Sequence, residues 1–220
     1  QVGYTPNMLG RNLRRKNTER ILVLIPSLSN QFLSGVIRGV ESAAKQKELQ
    51  VMISAAHNDR EAEQGYLEML YNRSVDGIIL VGSTLDQEEL SQLAEQYPLV
   101  MCSEWVEGAD VSAVGIDNEQ AAFDAVNALL ASGRKKIAMV SNEEVYSARL
   151  RTQGYRRALE QAGLPFIAGL YRFCPPSMSD GEWAARRMLE EGLRFDAILC
   201  GTDQRAFGVL GALRKAGVRV

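Results

Sequence analysis

Four side chains stand just past short apolar runs, the position where α/β proteins do their chemistry. Phe32, preceded by Gln31, follows ILVLIPSLSN, and Trp105, preceded by Glu104, follows LVMCS. Arg151 lies in ARLRTQGY, in the first turns of a helical pattern, and Asp203 comes after AILCGT. An aromatic past a strand end either stacks on a planar ligand or closes over the core; Phe32 can equally face the core. An arginine there offers a planar fork to hydroxyls or a carboxylate, or makes a surface ion pair. Asp203 can cap the following helix, touch a ligand, or do both.

Signatures of catalysis are missing. The first apolar run leads into PSLSNQF rather than a glycine-rich phosphate loop, and no GxSxG elbow occurs. His57 is the sole histidine, which argues against a His-based metal site and leaves one candidate base with no pattern around it. The carboxylates fall on helix faces where solvation explains them. No catalytic residue, metal or cofactor is expected. Cys102, Cys174 and Cys200 are an odd set in separate apolar contexts, read as buried free thiols suited to a reducing cytoplasm.

The composition, 46% hydrophobic and 24% charged, is that of an ordinary globular chain, and 220 residues allow one large domain or two small ones. No apolar run nears the roughly 20 residues that span a bilayer, and residues 1–20 lack the apolar core of an export signal. The net charge of −2 hides an asymmetry: Arg11, Arg14, Arg15, Lys16 and Arg20 face only Glu19 in their segment. A basic arm on an acidic body suits contact with a polyanion, or a solvated linker.

The elements that must position these residues alternate. Strands are expected at Ile21–Ser27, Gln50–Ala56, Gly77–Gly82, Leu99–Ser103, Val114–Asp117, Lys136–Ser141, Tyr171–Cys174 and Ala197–Gly201. Helices are expected at Gln31–Lys47, from a capping box of Asn58 and Glu61 to Arg73, at Gln87–Gln96, from Asp117 or Asn118 to Ser132, and at Ala148–Ala162. Two more are expected, one opening at Ser179 with Glu182 and one at Asp203–Ala216. Gly133, Gly163, Gly192 and Gly217 sit at helix ends, where a left-handed residue is preferred. The near-continuous GIILVG fits a parallel strand covered on both faces. Strand–helix units of this spacing indicate βαβ architecture, with ligands at the carboxyl ends of the strands. Whether one sheet or two form is not decided by periodicity. A short helix over Asn7–Leu13, weakened by Gly10, should fold only on a partner surface. The chain also starts and stops like a fragment, Val218–Val220 reading as the beginning of a further strand.

GYTPNMLGRNL, VDGIIL, GIDNEQAA, RTQGY at Arg151–Tyr155 and TDQRAFG at Thr202–Gly208 come in the order and spacing of the LacI/GalR family of bacterial transcriptional repressors, which the chain resembles throughout. AAFDAVN, VGS and the Glu-Trp segment lean toward the cytidine-type repressors within it. The resemblance implies an α/β fold of two Rossmann-like, periplasmic-binding-protein-like subdomains with parallel sheets, the second incomplete. It implies residues 1–19 as the end of the headpiece with its hinge helix, 20–134 as the N-terminal effector-binding subdomain and 135–220 as the C-terminal one. It further implies a homodimer that grips operator DNA and takes a small-molecule effector between subdomains, with no membrane role. Carried over by position, Leu13 is the minor-groove wedge and Asn7 opens the hinge helix, while Arg11, from the basic segment, is placed with them in DNA binding. Phe32, Trp105, Arg151 and Asp203 line the effector site. Departures are Gly10 for a usual Ala, Arg134 for a common His, Thr202 for a frequent Asn, and FCPPSMSDG, where no ligand residue is assigned. The runner-up is a periplasmic-type solute-binding protein of the same architecture without a DNA role.

Overall fold

The computed structural model describes residues 17–28 and 30–220. The expected hinge helix with Asn7, Arg11 and Leu13 lies outside the described residues. The chain divides into two compact units, one up to Gly115 and one from Ile116 onward.

The first unit runs β1 (Arg20–Ile25), α1 (Gln31–Gln46), β2 (Gln50–Ala55), α2 (Arg60–Tyr71), β3 (Gly77–Leu80), α3 (Gln87–Gln96), β4 (Leu99–Cys102) and β5 (Ser112–Val114). Its strands are all parallel, in the order β2-β1-β3-β4-β5. Side chains alternate across a strand, so β1 sends Leu22 and Leu24 to one face, against Leu67, Leu70 and Leu90, and Val23 and Ile25 to the other, against Leu33 and Ile37. Helices therefore cover both faces, which is why RILVLI shows no polar alternation.

The second unit runs α4 (Asn118–Ala131), β6 (Ile137–Ser141), α5 (Tyr146–Gln161), a 3-10 turn at Ala168–Leu170, β7 (Tyr171–Phe173), α6 (Met178–Glu190), β8 (Ala197–Cys200) and α7 (Asp203–Lys215). Its parallel sheet has the order β7-β6-β8. Ala138 and Val140 face Ala184, Met188 and Val209; Ile137 and Met139 face Val126, Tyr155 and Ala158. One device recurs in both units. Asp76, just before β3, accepts from Thr18 N at 2.8 Å ahead of β1; Asp196, just before β8, accepts from Lys135 N and Lys136 N at 2.8 and 2.9 Å ahead of β6. In each case a carboxylate satisfies backbone donors where the central strand begins.

Several expectations shift. The units part at Gly115 rather than at 134, because α4 packs on α5 so closely that a Cβ at Gly154 would lie 2.1 Å from Glu119 O. The short strand is Ser112–Val114, not Val114–Asp117, since the Asp117 side chain is taken as the cap of α4, accepting from Gln120 N at 2.9 Å. The caps of α2, α6 and α7 are Asp59, Ser177 and Thr202 in place of Asn58, Ser179 and Asp203. The four glycines expected at helix ends all have positive φ. Residues 218–220 pair with no strand of the described residues, and Val218 N–H instead closes α7 on Leu213 O. No helix of the described residues is long and apolar enough to cross a membrane.

Close helix contacts make opposite outcomes for chemically identical changes. A Cβ at Gly208 would lie 1.9 Å from Met178 O, and backbone cannot give way cheaply. Gly208→Ala should cost at least about 2 kcal/mol or prevent folding. At Gly39 and Gly211, where nothing stands within 4 Å, Ala should stabilise by about 0.5–1 kcal/mol. Urea unfolding of the three variants measures both signs.

Candidate functional site

In each sheet the chain departs from a central strand in both directions, from β1 to β2 and β3 and from β6 to β7 and β8, so each unit has a switch point whose carboxyl edge can take a ligand. In the first unit, Asn30 caps α1 by accepting from Phe32 N at 3.1 Å. That places Phe32 in the first turn, 58% exposed as a residue, not in the core. The loop after β3 is held from α2: Glu63, 2% exposed, accepts from Thr84 N at 2.7 Å and from the hydroxyls of Ser83 and Thr84. Arg60 Nη1 donates to Thr84 O at 2.9 Å while its other amino group pairs with Glu89. The cavity at this edge, bordered by Pro26, Glu63 and Gly82, has about 20 Å³, room for one water and not for an effector. After β4 the chain turns through Ser103, at φ +70°, to Glu104 and Trp105. Trp105 is half-buried against the core and covers Gly115, where a Cβ would lie 2.6 Å from its ring. It acts in part as a lid, one of the two roles open to it.

In the second unit Arg151 reaches the edge from the second turn of α5. Its Nε donates to Asn118 Oδ1 at 2.9 Å and its Nη1 to Gly201 O at 2.6 Å. Asn118, fully buried at the start of α4, is fixed in turn by donating from Nδ2 to Ile116 O at 3.2 Å. The guanidinium is thus anchored between the start of α4 and the end of β8. Asp203 is the first residue of α7 and is exposed, because Thr202 takes the cap by accepting from Arg205 N at 3.4 Å. Arg151 and Asp203 therefore share one strand edge. Phe32 and Trp105 share the corresponding edge of the first unit.

Sequence reasoning missed Asn118, Glu63 and Arg205. Each is polar and almost wholly buried; Glu63 and Arg205 bond loops remote in sequence, and Asn118 bonds Arg151 on α5. The three thiols are free. Cys174 is buried, while Cys102 and Cys200 are partly so. Burial pushes all three thiols up, Cys200 to about 11, with Cys174 adding to the rise and Arg205 opposing it. Neutral, shielded thiols are not nucleophiles. Among the described residues no group of three or more His, Cys, Asp and Glu side chains could hold a metal ion. The edges offer groups for hydrogen bonding and stacking.

The family described as periplasmic binding proteins and sugar binding domain of LacI family matches residues 18–220. Catabolite control protein A of Priestia megaterium is 33% identical over all of this chain and 67% of its own length. The HTH-type transcriptional repressor CytR of Escherichia coli is 30% identical over all of this chain and 65% of its own length. The chain thus spans about two thirds of the relatives it matches. A LacI family transcriptional regulator from Lactobacillus casei, solved with bound glucose, superposes with a TM-score of 0.81 at 25% identity, covering 91% of this chain and 77% of that one.

The thiol environment has a consequence for stability. A folded thiol at about 11 holds its proton more tightly than an unfolded one near 9.0, so folding is favoured below pH 9 and loses that contribution between about pH 9 and 11. Tyr155, raised from 10.0 to about 12 by burial, adds a loss in the next pH interval. Thermal midpoints should fall steadily above pH 9, and Cys200→Ala should fall less steeply between pH 9 and 11. Parallel curves for the two proteins would refute this.

Proposed function

The chain belongs to the family of periplasmic binding proteins and LacI-type sugar-binding domains, and from that membership we propose that it is the effector-binding part of a DNA-binding transcriptional repressor. The effector is a small polar molecule of the sugar or nucleoside class. Arg151 and Asp203 are the residues we assign to bonding its hydroxyls, and Phe32 and Trp105 those we assign to stacking. Residues 1–19 supply the hinge, with Asn7 opening it, Leu13 wedging into the minor groove and Arg11 contacting phosphate, and the protein works as a cytoplasmic homodimer on operator DNA. Effector binding shifts the population of hinge states only through different affinity for the two.

The observation that carries this reading is the anchoring of Arg151 on Asn118 Oδ1 and Gly201 O, which aims a rigid fork at the switch point of β6 and β8. The family description also covers periplasmic solute-binding proteins, which favours the same site without a DNA role. Relatives of 30% identity or more over the whole chain that carry regulator names weigh toward the first reading.

The test is a thermal-shift and calorimetric titration with glucose, ribose, cytidine and adenosine. At least one should raise the midpoint of the wild type. Arg151→Ala should weaken that ligand by about 10- to 100-fold, the loss of one or two charge-assisted hydrogen bonds. In the protein extended to include its DNA-binding headpiece, the same change should leave operator binding intact and abolish its response to the ligand. Loss of both, or of neither, would count against the assignment.

A further inference from the structure

The loop after β7, Cys174 to Ser177, contains Pro175 and Pro176, neither of which has an N–H to donate. A side chain reaches its carbonyls instead. Arg205, in the first turn of α7, donates from Nε to Cys174 O and Pro175 O, each at 3.2 Å, and from Nη2 to Cys174 O at 2.8 Å. Its side chain is 1% exposed, yet these acceptors are neutral, and among the described residues no carboxylate forms an ion pair with it. Burying a guanidinium without a counter-charge is unfavourable, and an apolar side chain of similar volume would avoid that cost.

One glycine makes room for its side chain and another for its backbone. A Cβ at Gly201 would lie 3.1 Å from Arg205 Nη1, and a Cβ at Gly181 would lie 2.3 Å from Arg205 O. Gly201 is also the residue whose carbonyl accepts from Arg151. The backbone at the end of β8 is therefore held between two arginines, one bonding its oxygen and one filling the space beside its Cα.

Resting on the effector-site reading above, we infer that Arg205 is a positioning residue. It fixes the Cys174–Ser177 loop as a wall of the effector site and keeps Gly201 O where Arg151 requires it. The cost of its buried charge is spent on site geometry rather than on stability.

The test compares wild type, Arg205→Met and Arg205→Lys. Methionine removes charge and donors at similar volume; lysine keeps the charge and part of the bonding. In the ligand-free protein, amide hydrogen exchange at Cys174 and Ser177, whose N–H groups donate to Ser141 O and Pro175 O, should speed up at least tenfold in Arg205→Met, with an unchanged or higher thermal midpoint. Whichever of glucose, ribose, cytidine and adenosine binds the wild type should bind Arg205→Met at least tenfold more weakly, with Arg205→Lys between them. A purely structural role predicts the reverse: a lower midpoint and unaltered affinity of the folded protein, which overturns the inference. Unchanged exchange at both amides overturns it whether or not any ligand binds. If none of the four binds the wild type, the effector reading fails, while the exchange comparison still decides whether Arg205 holds the loop. Should Arg205→Met fail to fold, Arg205→Lys carries the same exchange and affinity comparison.

Discussion

A parallel sheet covered by helices on both faces can present chemistry only at its ends. Its faces are taken by packing, and its interior backbone groups by the ladder. At the carboxyl edge the strand carbonyls and the first N–H groups of the next helix both lose their regular partners. Every strand-to-helix loop in these two units must meet that demand. In the first unit Glu63 and Arg60 do so for the loop after β3. In the second, Arg151 and Arg205 do so for the ends of β8 and β7.

The buried polar side chains follow from the same constraint. Among the described residues, the seven that are almost fully buried are Glu63, Asn118, Ser141, Asn142, Ser147, Thr152 and Arg205. All lie at a strand's carboxyl end or in the opening turns of a helix. None sits in mid-strand or against the amino ends of the sheets, where Asp76 and Asp196 work from less buried positions. Buried polar networks cost more than apolar packing unless fully satisfied, and they hold one geometry when they are. Concentrating them on one edge places rigidity where a ligand would need it and leaves the rest of each core to cheap apolar contacts.

This division explains what was legible in the residues. Apolar runs and helical spacing are local, so the alternation of strands and helices could be read, with bounds within a residue or two except at the short strand Ser112–Val114. Capping is local as well but degenerate: Asn58 and Asp59, Ser177 and Ser179, Thr202 and Asp203 are all competent caps, and only backbone geometry separates them. The parting of the units was misplaced because α4 follows the last strand of the first sheet but packs on α5, through a glycine contact that no periodicity encodes. The position of Arg151 could be inferred, but its partners lie 33 and 50 residues away. Arg205 went unnoticed because, within TDQRAFG, nothing marks an arginine that turns inward toward a proline loop 30 and 31 residues earlier.

The two edges differ in chemistry. The first unit offers an exposed aromatic in the first turn of α1 and a tryptophan partly committed to its own core. The second offers an anchored guanidinium and an exposed carboxylate. A ring face gives area with little direction, whereas a fork and a carboxylate give direction with little area.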